Sequence, residues 1–337
     1  MTRVAAFDCG TNSLRLLVVD LDPATGHARE IDRQMRIVRL GEGVDRTGRI
    51  SATALQRVMA AVDDFVAIVD RHQVERIRFC ATSAAREAEN TGDFVAAVRA
   101  RVGVAPDLVD GSEEARLSFA GAVRSLRASL PTPYLVADIG GGSTELVLGS
   151  PEGEVSDVAS LDLGSVRMTE RHLHSDPPTR DEIAAVRADV EATLDGCPFD
   201  PASAGAVIGV AGTVTTIAAG ALRLQAYDRS LIHHSVIDVA SVQGMVTTLL
   251  HMSVEQRKAL PYMHPGRADV IAGGGLVLTG LLRRADVYSM LVSEQDILDG
   301  IAWSLVEGSA RASPDSDDES RPGPTSGQST PDKGVNP

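Results

Sequence analysis

The chain has 337 residues, 43% of them hydrophobic and 23% charged, enough apolar material for two domains with cores of their own. Its formal net charge of -14 argues against generic nucleic-acid binding, which depends on Lys and Arg neutralising phosphates, yet leaves room for a small phosphate-rich ligand held by local donors. Aromatic residues make up only 3%, so the cores are expected to be built from Ala, Val, Leu and Ile.

Arg3 to Asp8 and Leu14 to Leu21 read as two strands joined through a glycine turn, with D-C-G-T-N-S-L-R-L-L-V running from Asp8 to Val18. Ala28 to Leu40 gives a third strand. Ser51 is an N-cap, and Leu55, Val58, Val62, Phe65, Val66 and Val69 then recur at helical spacing on a packing face. Arg76 to Ala81 is a strand that runs into Thr82-Ser83-Ala84-Ala85-Arg86-Glu87, placing hydroxyls and free helix N–H groups at a sheet edge. The same residues read equally as an ordinary cap followed by a surface arginine. Thr91 to Val102 is a helix and Asp107 to Asp110 a short strand. Gly111-Ser112-Glu113-Glu114-Ala115-Arg116 opens a helix to about Val123. Its glutamates serve either as partners of the helix dipole or, at a strand's carboxyl end, as members of a site.

Ser129 to Pro133 is the expected junction, dividing a domain over 1–128 from one over 129–308. Beyond it, Val136 to Gly149, V-A-D-I-G-G-G-S-T-E-L-V-L-G, reads as strand, turn, strand, with glycine supplying positive φ and close backbone approach. A plain hairpin has no need of three glycines flanked by Asp138, Ser143, Thr144 and Glu145. Successive N–H groups in such a turn form an anion-binding nest, and carboxylates beside it suit a hydrated divalent cation. Laid over the first turn without a gap, Asp8 meets Asp138, Gly10 meets Gly140, Ser13 meets Ser143 and Leu16 meets Leu146. Two matching turns imply two similar domains that present them to one cleft.

A strand near Val155 to Leu163 leads to Gly164-Ser165-Val166-Arg167, a helix start and a further phosphate candidate. Thr179-Arg180-Asp181-Glu182 is a capping box for a helix through Leu194. Ala206 to Val210 is a buried strand that Ala211-Gly212-Thr213-Val214-Thr215-Thr216 turns into a helix. His233 and His234 are adjacent, so their side chains are expected to point apart and to bind no metal. Ser241 caps a helix, and Pro265 to Asp269 leads into an apolar helix containing Gly273-Gly274-Gly275. Ser289 to Val292 is a strand and Gln295 to Val306 the last helix. Residues 309–337 are proline-rich and polar and are expected to be disordered. The three cysteines, Cys9, Cys80 and Cys197, lack paired spacing, and no apolar run reaches membrane-spanning length. A cytoplasmic protein is expected.

The stretches D-C-G-T-N-S-L-R-L-L-V, A-T-S-A-A-R-E-A, G-S-E-E-A-R-L, D-I-G-G-G-S-T-E, A-G-T-V-T-T and G-R-A-D-V-I-A-G-G fall in the order seen in the exopolyphosphatase / guanosine pentaphosphate phosphohydrolase family, which the chain resembles over residues 3–307. That resemblance implies an α/β fold of two ribonuclease-H-like domains, as in the actin-like ATPase superfamily, with an active-site cleft between them. It implies that Asp8 to Ser13 and Asp138 to Glu145 are phosphate loops and that Arg86 binds phosphate. Glu114, rather than Glu113, is then the catalytic base, and Asp138 and Glu145, with Asp8, hold Mg²⁺ or Mn²⁺. The phosphate ligands expected on this basis are Asn12, Ser13, Arg15, Ser83, Arg86, Gly140, Gly141, Gly142, Ser143, Thr144, Gly212 and Thr213.

The activity implied is release of orthophosphate from the ends of inorganic polyphosphate. Long family members append helical C-terminal domains that this sequence lacks, so short chains are the expected substrates. Hydrolysis of guanosine pentaphosphate to the tetraphosphate, or sensing of these alarmones without hydrolysis, are the other readings. A kinase of the same superfamily is disfavoured, because no second apolar pocket for an acceptor sugar is evident. A homodimer is expected, with no nucleic-acid or membrane partner.

Overall fold

The computed structural model describes residues 1–126 and 130–310. The first sheet begins with β1 (Thr2–Cys9), β2 (Ser13–Asp22) and β3 (His27–Ile37), antiparallel in succession. Two helices follow, α1 (Val44–Thr47) and α2 (Ala52–His72), before β4 (Arg76–Ala81) adds parallel to β1. After α3 (Ser83–Glu87) and α4 (Thr91–Val102), β5 (Asp107–Leu108) closes the order β3-β2-β1-β4-β5. The Ser51 hydroxyl accepts from the Ala54 amide at 3.1 Å, as its cap role requires. Val58, Val62, Phe65 and Val69 are buried against the sheet. The core under α2 is less aliphatic than composition implied, because Phe7, Phe65, Phe79 and Phe94 gather there, with Phe7 and Phe79 stacked at 5.1 Å. β3 ends at Ile37 instead of Leu40, since the amides of Val38 and Arg39 both turn to the Asn12 carbonyl at 3.0 Å. That bond ties the end of β3 to the first glycine turn.

α5 (Gly111–Arg124) is capped by Asp110, whose carboxylate accepts from the Glu113 amide at 2.8 Å. The second sheet repeats the opening of the first with β6 (Tyr134–Ile139), β7 (Thr144–Gly149) and β8 (Val155–Leu161). Next come α6 (Ser165–His172), α7 (Arg180–Asp195), β9 (Ala206–Val210), α8 (Ala211–Ala221) and α9 (Arg229–Ile232). They are followed by β10 (Val236–Asp238), α10 (Val239–His251), α11 (Val254–Lys258), α12 (Ile271–Arg284), β11 (Ser289–Val292) and α13 (Ile297–Ala310). The sheet order is β10-β11-β9-β6-β7-β8, with β9 parallel to β6 as β4 is to β1. The capping box of Thr179 and Glu182 is present. Ser241 is not a cap: Asp238 holds that place and its carboxylate accepts from the Ser241 amide at 2.7 Å. Among the described residues no helix is long and apolar enough to cross a membrane.

The two sheets exchange helices. Ala115, Phe119 and Ala122 of α5 pack on Tyr134, Val136 and Val147 of the second sheet. In return Ile297, Ile301, Ala302 and Trp303 of α13 pack on Val4, Ala6, Leu17 and Val19 of the first. The expected boundary at 128/129 lies outside the described residues, as do 311–337 of the expected tail; residues 309 and 310, also assigned to that tail, instead continue α13.

Where α5 meets α13, a methyl on Gly121 would overlap the Asp296 carbonyl, and one on Gly300 would overlap that of Leu117. Backbone obstructs in both cases, so no side-chain rotation gives relief. Gly121→Ala is therefore expected to destabilise the protein by about 1–3 kcal/mol, the usual cost of overpacking. The shift should appear in the denaturant midpoint.

Candidate active site

Each sheet offers one glycine turn, built in the same way. The Gly10 amide donates to the Ser13 carbonyl at 2.9 Å, and the Gly140 amide to the Ser143 carbonyl at 3.0 Å. The positive φ expected of these glycines is not used; Gly10, Gly140, Gly141 and Gly142 all lie outside the left-handed region. Their smallness serves contact between the turns. A Cβ on Gly141 would lie 3.0 Å from Cβ of Thr11, and one on Gly142 would lie 2.7 Å from Oγ1 of Thr11. The Thr11 and Ser83 hydroxyls, 2.8 Å apart, complete this seam. In the second turn the Gly140 and Gly141 carbonyls accept from the amides of Ser165, Val166 and Arg167 at the start of α6. The amides of Gly141 and Gly142 have no acceptor among the described residues. Free amides beside a cavity are the ingredients of an anion nest.

The turns enclose a cleft of about 90 Å³. It is lined by Asp8, Asn12, Ser13, Arg15, Ser83, Glu114, Asp138, Gly140, Gly141, Gly142, Ser143, Gly212 and Thr213, all of them anticipated. Ala211 lines it too and holds a left-handed φ of 68°, a strain of the kind that clusters at functional sites. Three expected residues stand apart. The Thr144 hydroxyl donates to the Leu163 carbonyl at 2.6 Å and is buried in the strand pairing. Glu145 is 2% exposed and does not line the cleft, although the β6–β7 register places it beside Asp138 on the same face of the sheet, with Ser160 donating to its Oε1 at 2.9 Å. Arg86 is a neighbour of the wall: Nη1 donates to the Val109 carbonyl at 2.7 Å and to Glu114 Oε2 at 3.3 Å.

The two adjacent glutamates of α5 part company. Glu113 pairs with Arg78 on the exposed side, whereas Glu114 is 8% exposed and faces the cleft. Burial, then the charge of Glu145, holds the Glu114 carboxyl well above the usual carboxylate range. Asp138 is pushed up by burial and then by Asp296, with the Ser118 hydroxyl opposing through a 2.6 Å bond to Oδ2. Glu145 is pushed up by burial and then by Asp138. The cluster thus carries more negative charge than its surroundings offset.

Arg15 is committed as a brace. Its guanidinium pairs with Asp8 at 2.6 Å and with Asp296 on the other side, so its charge is already matched. Arg267 is the cation left over. It lines the cleft, lies against Gly212, donates to the Thr216 hydroxyl at 3.3 Å, and has no carboxylate at ion-pair distance among the described residues. Burial lowers its affinity for the proton, a cost that a bound anion offsets.

Asp8, Asp138 and Glu145 do not form a ready-made metal cluster; among the described residues no group of three or more His, Cys, Asp or Glu side chains does. Asp8 is taken by Arg15, and Glu145 is bonded by Ser160 and does not line the cleft. Asp138 remains facing the cleft. Magnesium binds through one or two carboxylates, with waters and phosphate oxygens completing its shell, so this donor set fits a cation brought in with a phosphorylated ligand. The His233 and His234 rings do not point apart as expected but stack at 3.7 Å, because His234 adopts a left-handed φ of 64°.

Ser118, Arg267 and Asp296 belong to the site and were not named among its expected residues, and Thr11 was covered only as part of the first loop. Arg267 lies within the G-R-A-D stretch, and Asp296 follows a strand end just before a helix, the pattern that flagged the other loops. Replacing Arg86 by Lys keeps a charge but loses the planar guanidinium that carries Nη1 to both Val109 and Glu114. Turnover is expected to fall about tenfold, in keeping with the cost of misplacing a reacting group. Steady-state phosphate release checks it.

Two sheets of equivalent order, each presenting a glycine turn to one small polar cleft, define a two-domain α/β protein of the actin-like ATPase fold. The sequence profile of the Ppx/GppA phosphatase family matches residues 18–308, and the chain belongs to that family. It is 46% identical over 320 residues to exopolyphosphatase 2 of Mycobacterium tuberculosis, covering 90% of this chain and 99% of that protein. A crystal structure of an exopolyphosphatase-like protein superposes with a TM-score of 0.89 at 38% identity, over 92% of this chain and 99% of the other. The Ppx/GppA family member of Aquifex aeolicus gives a TM-score of 0.77 at 28% identity, over 91% and 98% of the two chains.

Proposed function

We propose that the chain is an exopolyphosphatase that hydrolyses the terminal phosphoanhydride of short inorganic polyphosphates and releases orthophosphate. The observation that carries this reading is a cleft of about 90 Å³ with free glycine amides on one wall and the buried Glu114 on another. Arg15, Ala211, Gly212 and Arg267 line both this cleft and a second cavity of about 500 Å³. The small chamber suits a terminal phosphoryl group, and the larger one receives the rest of the substrate.

Hydrolysis of a phosphoanhydride requires water held in line with phosphorus while charge on the equatorial oxygens is neutralised. Glu114 orients the water and takes its proton, with Arg86 fixing the carboxylate. The amides of Gly141 and Gly142 and the guanidinium of Arg267 meet the phosphate oxygens. A divalent cation, Mg²⁺ or Mn²⁺, held by Asp138 with Glu145 and Asp8 near it, would supply further neutralisation of those oxygens.

The test is phosphate release from polyphosphates of defined length beside guanosine pentaphosphate and ATP. Release from short chains is the expected result; none from any chain length overturns the reading.

Guanosine pentaphosphate is the second reading, and one observation favours it. The larger cavity has the apolar walls that no sequence signal revealed, with Tyr227, Tyr262, Met263 and Pro265 among them. Its other arginines are already paired, Arg33 with Glu30 and Asp299, and Arg229 with Glu30 and Glu294. Flat apolar surface with matched charge accepts a base and ribose as readily as a chain of phosphates. A sensor without hydrolysis has no use for a base at Glu114. A cytoplasmic homodimer is the expected form under either reading.

A further inference from the structure

Arg167 closes the Gly164 to Arg167 helix start that was a further phosphate candidate, but it does not line the cleft and is only 7% exposed. It joins three things at once. Nε donates to the Gly142 carbonyl, in the second glycine turn, at 2.6 Å. Nη1 pairs with Asp45, and Nη2 donates to both oxygens of Glu87 at 2.7 and 2.9 Å. Asp45 lies in α1 and Glu87 in α3, on the side of the first sheet, whereas Arg167 lies in α6 on the side of the second. Its neighbours on α6 cross the same gap. Arg171 makes two 2.8 Å bonds to Asp45, and the Glu170 carboxylate accepts from the Gly43 amide at 3.1 and 3.2 Å.

The same short helix also shapes the turn. Its first amides hold the Gly140 and Gly141 carbonyls, and the Arg167 side chain holds the third, that of Gly142. All three carbonyls of the glycine run are thereby turned onto α6, which leaves the Gly141 and Gly142 amides without an internal acceptor. A guanidinium is planar and makes its bonds in a fixed fork, so the two carboxylates that fix its plane also fix the Nε–H aimed at Gly142. If the domains part, Arg167 loses Asp45 and Glu87 and keeps the Gly142 carbonyl and the exposed Asp162 at 3.7 Å, too little to hold a buried charge in one rotamer.

We propose that Arg167 is a positioning residue that favours the closed arrangement of the two domains and, once closed, sets the second glycine turn for phosphate. This rests on reading the cleft as the hydrolytic site. The two roles separate by experiment. Asp45→Asn with Glu87→Gln cuts the clasp across the domains but leaves the bond to Gly142. Arg167→Gln removes both. Arg171→Gln loosens the clasp without touching the turn.

Steady-state phosphate release from tripolyphosphate, melting temperature and solution scattering are measured on all three and on the unmodified protein. The double variant is expected to raise KM roughly three- to tenfold with kcat nearly unchanged, since saturating substrate restores closure. Arg167→Gln is expected to raise KM similarly and also to lower kcat by about tenfold or more, because the amides of the turn lose their aim. Arg171→Gln should leave kcat alone. The double variant and Arg167→Gln should show a larger radius of gyration without ligand.

Unchanged kcat and KM in Arg167→Gln overturn the proposal, as does a loss of kcat matched in Arg171→Gln and tracked by melting temperature alone. If Arg167→Gln does not fold, the double variant decides, and a KM within about twofold of the unmodified protein overturns the clasp. If the unmodified protein releases no phosphate, the reading of the site falls by itself. Equilibrium binding of tripolyphosphate to the same variants then decides the clasp, weaker binding in the double variant supporting it and equal binding overturning it.

Discussion

Replacing Glu114 by glutamine is expected to lower turnover on short polyphosphates by roughly two to four orders of magnitude, the usual worth of a general base. Glutamine keeps the size of the side chain and an oxygen for the Arg86 bond, but it cannot take a proton from water. The carboxyl is nearly buried beside Glu145 and Asp138, and removal of one of these repelling charges should leave polyphosphate binding intact or tighter. Glu113 supplies the internal control. It precedes Glu114 on α5, yet its carboxylate pairs with Arg78 on the exposed side and does not reach the cleft. Glu113→Gln should cost under about 1 kcal/mol of stability, through the helix dipole and a surface ion pair, and leave turnover alone. Steady-state phosphate release and equilibrium binding on the two variants check both statements. Inactivity of Glu113→Gln, or full activity of Glu114→Gln, would remove Glu114 from the role of base.

Much of this arrangement is written locally. Strands β1, β2, β6 and β7 are short apolar runs, and the overlay of Asp8 on Asp138 and Ser13 on Ser143 anticipates two turns with the same internal bond. What stayed hidden depends on partners distant in the chain. Arg15 resembles a phosphate ligand until Asp296, contributed by the segment before α13, takes one face of its guanidinium. Arg167 sits at a helix start like an anion ligand, and only the docking of α1 and α3 turns it into a clasp. The glycines of the second turn were legible as special, and of the two reasons given for them close backbone approach holds while positive φ does not. Close approach to Thr11 and Ser83 is a tertiary demand, and it leaves no trace beyond the glycines themselves. The exchange of α5 and α13 between the sheets is of the same kind, since an amphipathic helix reports that it packs but not on which sheet. Ser241 yielded its cap to Asp238 because either residue type serves at that position and β10 ends at Asp238.

Removal of divalent cations is expected to reduce hydrolysis to background, and Mg²⁺ or Mn²⁺ to restore it. The argument is one of charge. Burial holds Glu114, Asp138 and Glu145 above the usual carboxylate range, and repulsion adds to it, from Glu145 on Glu114, from Asp296 on Asp138 and from Asp138 on Glu145. Arg15 is spent on Asp8 and Asp296, which leaves Arg86 and Arg267 against these carboxylates and a polyanionic substrate. A divalent cation between carboxylate and phosphate oxygens offsets both repulsions at once. Asp138 lines the cleft whereas Glu145 does not, so their substitutions should differ in size. Asp138→Asn is expected to raise the Mg²⁺ concentration for half-maximal rate by roughly a hundredfold, and Glu145→Gln by less. Ser118→Ala, which removes the hydroxyl that orients Asp138, should raise it about tenfold, within the range for residues that support a metal ligand. Metal titrations of initial rate on the three variants give these values directly. Full activity after exhaustive chelation would exclude the cation from the reaction, and a larger effect at Glu145 than at Asp138 would reverse the order of the two carboxylates around it.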